Sequence, residues 1–481
     1  MGNIGFRHFG LSEKMLQVLE KLGYENPSQV QEKVIPLALE DKDIIVKSQT
    51  GSGKTASFAI PICERIELEN NKPQVLVLSP TRELAVQIKE DISNIGRFKK
   101  IRCTAVFGKQ AMEVQLRELR QRIHVIVGTP GRTLDHIENK NADMSEIKYL
   151  IIDEADKMMD MGFIDQIEAI IKTLPHDRVT MLFSATMPER IEALCEKYMI
   201  NPYKIEVTPE SLITENIQQV YYEIEEDRKF NLLQNIIYVE NPESGIIFCN
   251  TKEAVHGLTQ KMKSRGFSCY GLHGGMEQED RLDTMKSFKK GEFQFLIATD
   301  VAARGTHIEE ITHVINYDVP VEKESYVHRI GRTGRAASKG KAITLVSTRE
   351  SRLLSGIEEY IGLELIRVEL PSEEEILHGK ARFETKTKAD QKKKIDRSAA
   401  LNKEITKIYI NAGRKKKVRA GDIVGAITNI EGVSADDIGI IDVQDNISYV
   451  DILYGKGSLV LRSLQDTTIK GKKVKVQKAI K

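Results

Sequence analysis

The run Ser48-Gln49-Thr50-Gly51-Ser52-Gly53-Lys54-Thr55 follows the apolar stretch Ile44-Ile45-Val46 and leads into Ala56-Ser57-Phe58-Ala59-Ile60. A glycine-rich turn between a strand and a helix aims successive backbone N–H groups at one spot, and the helix N-terminus adds partial positive charge. Such a turn cradles phosphate. Lys54 is placed to reach the β- and γ-phosphates of a nucleoside triphosphate, and the Thr55 hydroxyl to hold Mg²⁺. One position departs from the usual loop, with Ser48 where Gly or Ala is common. Further on, Asp153-Glu154-Ala155-Asp156 follows Tyr149-Leu150-Ile151-Ile152. Burying carboxylates at a strand end is costly without a cation. Asp153 is therefore read as holding Mg²⁺ through its water shell, and Glu154 as polarising the water that attacks the γ-phosphate.

Positioning these groups needs a parallel sheet with its loops at the carboxyl ends of the strands. The pattern predicts strands over Gln74–Ser79, Thr104–Phe107, His124–Gly128, Tyr149–Asp153 and Thr180–Ser184, with helices over Glu83–Gly96 and Glu113–Gln121 between them. After a polar stretch, Thr208–Asn216, the rhythm restarts with Gly245–Cys249, Cys269–Leu272, Gln294–Ala298, His313–Asn316 and Ala342–Val346. Two similar α/β halves joined by a hinge predict a cleft that opens and closes. The stretch from Pro371 to Asn402 contains Lys392-Lys393-Lys394 and little apolar content, and reads as a linker. The order β-α-β-β-α-β fills Lys403–Lys481.

With 481 residues, 41% apolar and 29% charged, the chain is too long for one core and ordinary for a soluble protein. It contains no apolar run of membrane-spanning length, and Met1-Gly2-Asn3-Ile4-Gly5 lacks signal character. Five scattered cysteines without metal spacing read as reduced core residues of a cytoplasmic protein, not as catalytic thiols. The net charge of +1 hides an asymmetry: residues 380–481 carry 23 Lys and Arg against 12 Asp and Glu, whereas residues 1–379 carry 48 against 58. A basic C-terminal fifth on an acidic body predicts a tethered polyanion binder.

Taken together, the motifs resemble those of the DEAD-box RNA helicases across both α/β halves. Gly23-Tyr24-Glu25-Asn26-Pro27-Ser28-Gln29-Val30-Gln31 resembles the family's Q motif, with Phe6 as the upstream aromatic and Ser28 where Thr is usual. The resemblance implies that Gln31 pairs with adenine, selecting ATP, and that Tyr24 or Phe6 stacks near the base. Pro80-Thr81-Arg82-Glu83-Leu84 and Thr129-Pro130-Gly131-Arg132 resemble the first-half motifs that grip the RNA backbone, through Arg82, Thr129 and Arg132. Hydroxyls, guanidinium groups and helix N-termini are phosphate-contact chemistry, not base readout. The family's Gly-Gly motif appears as Gly108-Lys109. Ser184-Ala185-Thr186 matches the motif that couples hydrolysis to strand separation.

In the second half, Ile247-Phe248-Cys249-Asn250 resembles motif IV, with Gln278 and Arg281 in the neighbouring RNA-binding segment. Thr299 and Arg304 lie in Ala298-Thr299-Asp300-Val301-Ala302-Ala303-Arg304-Gly305, which resembles motif V. His328-Arg329-Ile330-Gly331-Arg332-Thr333-Gly334-Arg335 resembles motif VI, implying Arg332 and Arg335 on the γ-phosphate. His328 either bridges to the Ser184–Thr186 motif or is structural. After Gly305 the family continues Ile-Asp, whereas here Thr306-His307 stands, so the position that the resemblance implies for the ribose contact carries an imidazole in place of a carboxylate. The implied fold is α/β: two tandem RecA-like parallel-sheet domains (1–207 and 217–370) plus a C-terminal α+β RRM-like domain (403–481), with a hinge at 208–216 and a linker at 371–402.

In the C-terminal region, Ile408-Tyr409-Ile410-Asn411 resembles the first-strand signature of an RNA-recognition motif. The third-strand signature keeps Tyr449 but has Ile447 where a stacking aromatic is expected. Basic residues concentrate in Arg414-Lys415-Lys416-Lys417-Val418-Arg419 and in Lys470–Lys475. This arrangement resembles the C-terminal domain of the DbpA subfamily, which implies recognition of a 23S ribosomal RNA hairpin. The leading expectation is a monomeric, ATP- and Mg²⁺-dependent RNA helicase acting in large-subunit assembly. A broad-specificity helicase of cold adaptation or RNA decay, and an ATP-gated RNA clamp with little unwinding, stay open. If His307 occupies the ribose position, His307→Asp should tighten ATP binding in the presence of RNA, because a carboxylate accepts ribose hydrogen bonds more strongly than a neutral imidazole. Titration of a fluorescent ATP analogue checks this; an unchanged affinity contradicts it.

Overall fold

The computed structural model describes residues 5–48, 51–207, 216–303, 311–334, 339–388, 401, 403–465 and 468–479. They divide into two compact units, one holding the first α/β region together with the C-terminal region, the other the second α/β region. The polar stretch read as a hinge lies outside the described residues, apart from Asn216.

In the first unit, β1 (Ile44–Ser48), β2 (Val75–Leu78), β3 (Cys103–Val106), β4 (Val125–Gly128), β5 (Tyr149–Ile152), β6 (Val179–Ser184) and β7 (Tyr203–Val207) form a parallel sheet in the order β3-β4-β2-β5-β6-β1-β7. Strands β2, β4, β5 and β6 are buried along their whole length, which is why they read as largely apolar runs. This order sets β5, β6 and β1 side by side, so the loops that leave them share one edge. Strand β7, which the sequence pattern did not predict, pairs with β1 at the sheet's margin.

The second unit repeats the plan with β8 (Ile217–Glu223), β9 (Gly245–Phe248), β10 (Cys269–Leu272), β11 (Phe295–Ala298), β12 (His313–Asn316), β13 (Gly340–Val346) and β14 (Ile366–Arg367), in the order β10-β11-β9-β12-β13-β8-β14. Part of the expected linker is not a linker: Glu373–Lys388 is helical. Phe383 buries its ring against Tyr238 and Phe267, at 5.7 and 5.6 Å between ring centroids. Gly379 lets this helix approach closely, since a Cβ there would lie 2.6 Å from the Tyr238 carbonyl oxygen. Residues 389–400 lie outside the described set.

The C-terminal region folds as β15 (Thr406–Ile410), β16 (Ile438–Val443), β17 (Ser448–Ile452) and β20 (Val476–Lys478), in the antiparallel order β16-β17-β15-β20. Helices Ala420–Thr428 and Gly457–Gln465 cover one face, enclosing a core of Ile408, Ile410, Val450, Ile452 and Val460. The basic stretch Lys470–Lys475 takes part in a small hairpin, β18 (Thr468–Ile469) and β19 (Lys472–Lys473). Its turn residues, Lys470 and Gly471, both have positive φ, as a tight two-residue hairpin turn requires.

Phe383→Ala should destabilise the second unit by about 3 kcal/mol, the usual cost of emptying a buried aromatic site. Denaturant unfolding checks this; an unchanged midpoint would place Glu373–Lys388 outside the core.

Candidate active site

The phosphate loop leaves β1 and enters helix Lys54–Arg65 at Gly53, where φ is +88°. A Cβ at Gly53 would lie 2.6 Å from Gln31 Nε2 and 2.9 Å from Ser28 Oγ, so this position has room for glycine alone. Lys54 is buried, and its Nζ donates to the Ser48 carbonyl at 3.2 Å. Thr55 follows within the first helical turn. Gln49 and Thr50 lie outside the described residues.

The stretch resembling the Q motif is built onto this loop. Ser28 and Gln31 form a reciprocal capping box on helix Gln29–Leu39: Gln31 Oε1 accepts from the Ser28 backbone N–H at 2.9 Å. The same two side chains reach the phosphate loop, Ser28 Oγ donating to the Ser52 carbonyl at 2.7 Å and Gln31 Nε2 to the Gly53 carbonyl at 3.2 Å. An amide has two donor hydrogens and two acceptor lone pairs, so one of each on Gln31 stays available to a base. Phe6 is buried, its ring edge-on to Tyr24 at 5.9 Å. Of the two aromatics Tyr24 is the more accessible.

Asp153 and Glu154 stand at the end of β5, 1% and 3% exposed. Burial pushes the Asp153 carboxyl up to about 6; the Lys54 ammonium opposes that shift and the Glu154 carboxylate adds to it. A buried carboxylate beside a lysine and a helix-start threonine suits a hydrated divalent cation, whose charge would favour ionised Asp153. Glu154 has left-handed backbone, with φ of +54°, and its Oε1 pairs with Lys157 Nζ at 2.7 Å. Such a conformation is rare for a non-glycine residue and recurs at functional sites.

Sequence reasoning missed Asp156 as a connector. Its Oδ2 accepts from the backbone N–H groups of Ala185 and Thr186, each at 3.1 Å, while Ser184 Oγ accepts from the Asp156 N–H at 3.1 Å. The loops after β5 and β6 are thus tied together. The signal available was the acid's position, directly after the two site carboxylates in the same short motif.

Arg82 and Thr129 open helices at neighbouring strand ends. Thr81 caps Arg82–Ile95 through the Leu84 N–H, and Thr129 precedes Pro130–Glu138. Arg132 Nη1 donates to the Gln110 carbonyl at 3.2 Å, and buried Gln115 joins the Phe107 carbonyl, Gln110 and His136. The Gly108-Lys109 turn is therefore fixed beside both arginines, with Lys109 exposed.

In the second unit, Gln278 begins helix Gln278–Lys289 with Arg281 one turn on, and Thr299 follows β11. His328 is exposed and Arg332 buried. Arg304, Thr306, His307 and Arg335 lie outside the described residues. Arg329 was quoted in its motif without a role, yet it is the hub of this unit. It is 1% exposed and holds both Asp300 oxygens, at 2.6 and 2.7 Å. It also donates to the Asn250 side chain at 2.8 Å and the Asp318 carbonyl at 2.7 Å, over the Phe248 ring. One planar guanidinium ties three segments.

Tyr409 and Tyr449 face each other across β15 and β17, their rings edge-on at 5.8 Å. Arg414, Lys415, Lys416, Lys417 and Arg419 are all exposed. Their loop is pinned to the β16–β17 turn: the N–H groups of Arg414 and Lys415 donate to the carbonyls of Gln444 and Asp445, each at 2.8 Å.

Three family models match the chain: DEAD/DEAH box helicase over residues 28–194, Helicase conserved C-terminal domain over 228–337 and DbpA RNA binding domain over 407–478. The chain is 57% identical to the ATP-dependent RNA helicase DbpA of Bacillus subtilis (strain 168), covering 99% of both sequences. It is 43% identical to the DEAD-box ATP-dependent RNA helicase CshA of Geobacillus kaustophilus, over 79% of this chain and 81% of that one. Among solved structures it is similar to S. cerevisiae Dbp5 bound to RNA and ADP BeF3, with a TM-score of 0.70, 32% identity and coverage of 79% and 99%. This chain belongs to the DEAD-box family of ATP-dependent RNA helicases, in its DbpA branch. It is an RNA-dependent ATPase with two RecA-like domains and a DbpA-type RNA-binding domain.

Glu154→Gln should keep ATP binding while slowing turnover about 100-fold or more, the usual contribution of a general base. Phosphate release measured beside nucleotide binding checks this; wild-type turnover would remove Glu154 from the chemistry.

Proposed function

We propose that the protein uses ATP and Mg²⁺ to unwind short duplexes of 23S ribosomal RNA during large-subunit assembly, as a cytoplasmic monomer. In this reading Thr55 and Asp153 would hold Mg²⁺, and Lys54 neutralises the β- and γ-phosphates. Glu154 orients the attacking water, and Arg332 and Arg335 stabilise charge on the transferring phosphoryl group. Bound metal would supply Lewis-acid polarisation of the phosphate oxygens. Gln31 senses the base while holding the loop that holds the phosphates. Asp156 then carries the state of the β5 loop to Ser184 and Thr186, with His328 joining them.

Arg82, Thr129 and Arg132, with Gln278, Arg281, Thr299 and Arg304, grip RNA phosphates without reading sequence. Choice of RNA falls to the C-terminal domain. The observation that carries this is the pinned loop with five exposed cations, in a domain whose sheet offers only Tyr409 and Tyr449 for stacking. A fixed constellation of charge can select a folded RNA by its phosphate positions.

Neutralising Arg414, Lys415, Lys416, Lys417 and Arg419 together should abolish any preference of the ATPase for 23S ribosomal RNA over an unrelated RNA, leaving RNA-free hydrolysis unchanged. Tyr409→Ala should cost less. ATPase titrations with both RNAs check this; an undiminished preference in the loop variant favours a broad-specificity helicase.

A further inference from the structure

Within the first unit, the C-terminal domain lies against the far end of helix Arg82–Ile95. Phe98 meets Tyr454 at 5.2 Å between ring centroids, and Leu401, Ile405 and Leu453 join the apolar core of the first domain. Around this apolar centre, cations of the first domain face acids of the C-terminal domain. Lys14 pairs with Asp436 at 2.9 Å, Lys21 with Glu404 at 2.6 Å and Arg97 with Asp451 at 3.3 Å. Lys100 Nζ donates to the Ala435 carbonyl at 2.9 Å. The charge asymmetry of the whole chain is inverted here, because the basic domain contributes the acids.

Two observations distinguish this seam from a permanent core. Tyr454 has φ of +54°, a left-handed conformation that is strained for a bulky side chain. The Arg97–Asp451 pair is also incompletely satisfied: among the described residues, buried Arg97 Nε and Asp451 Oδ1 have no hydrogen-bond partner, nor has Asp442 Oδ1. A buried pair with leftover polar atoms regains hydration when it separates, so its net contribution is small. The outer pairs are exposed enough to be screened by salt.

We propose that this seam is a releasable latch by which the first domain holds the C-terminal domain of its own chain. Asp451 belongs to β17, on the same open sheet face as Tyr449, so the latched state closes part of the face on which RNA-recognition motifs stack bases. The pinned basic loop stays exposed. Arg82 and the latch stand at opposite ends of a helix about 21 Å long at 1.5 Å per residue, so latching leaves the phosphate-gripping end clear.

Hydrogen exchange of the full-length protein, without RNA, tests the latch. Segments 96–103 and 449–456 should be protected at low salt, and in Arg97→Glu both should exchange roughly tenfold faster or more, as for a broken buried charge pair. Arg97→Glu with Asp451→Arg should restore protection in part, since Arg102 still faces the new arginine. Exchange in β2 and in helix Ala420–Thr428 should not change. In the wild type, raising salt to about 1 M should accelerate the same two segments, because the charge pairs are then screened. If neither segment responds to salt, or only segment 96–103 responds to Arg97→Glu, the domains do not latch and the proposal falls. Accelerated exchange throughout a core would mark the variant as misfolded, and the salt response of the wild type then decides.

Discussion

A buried carboxylate that must be compensated organises the first unit. Asp153 closes a strand with no solvent along its length, and at that depth an ionised oxygen needs a cation or a proton. The sheet order supplies one by placing β1 and β5 on either side of β6, which brings buried Lys54 and Asp153 to the same edge. The loops there are then locked by hydrogen bonds that leave little slack. Ser28 and Gln31 hold the phosphate loop from outside, and Asp156 fastens the loop after β5 to the loop after β6. The Asp156 carboxylate and backbone N–H thus join the loop after β5 directly to the Ser184–Thr186 segment.

The second unit meets a similar demand with the opposite sign. Arg329 is a buried cation, and its burial is tolerable because each side of the guanidinium finds an acceptor on a different segment. The same bonds define the relative positions of Asn250, Asp300 and the Lys323–Ile330 helix. The C-terminal domain holds its charge differently, on an exposed loop whose shape is set by backbone bonds to the neighbouring turn. Buried charge fixes geometry in the α/β units, whereas the third region carries its charge exposed on a loop of fixed shape.

Much of this was legible in the residues. Buried parallel strands announce themselves as largely apolar runs, so β2, β4, β5 and β6 fell within a residue or so of their observed ends. The antiparallel domain was legible from its β-α-β-β-α-β order and its strand signatures. Strand β7 was not, because only Ile205 along it is fully buried and its pattern resembles a solvated segment. The helix Glu373–Lys388 was hidden for a similar reason: it is anchored chiefly by one aromatic, Phe383, amid charged residues. Asp156 and Arg329 lay in recognised motifs, but their partners come from loops that only the folded sheet brings together. Gln31 shows a further limit: the Ser28-to-Gln31 spacing is that of a capping box, a local signal beside the base-pairing role that the family resemblance implies for Gln31.

The central claim is that a buried carboxylate–lysine site hydrolyses ATP under the control of RNA. Steady-state phosphate release by the full-length enzyme, with saturating ATP and with or without ribosomal RNA, tests it most directly. The account predicts turnover that rises strongly with RNA and disappears in Lys54→Ala. Equal turnover with and without RNA would contradict it.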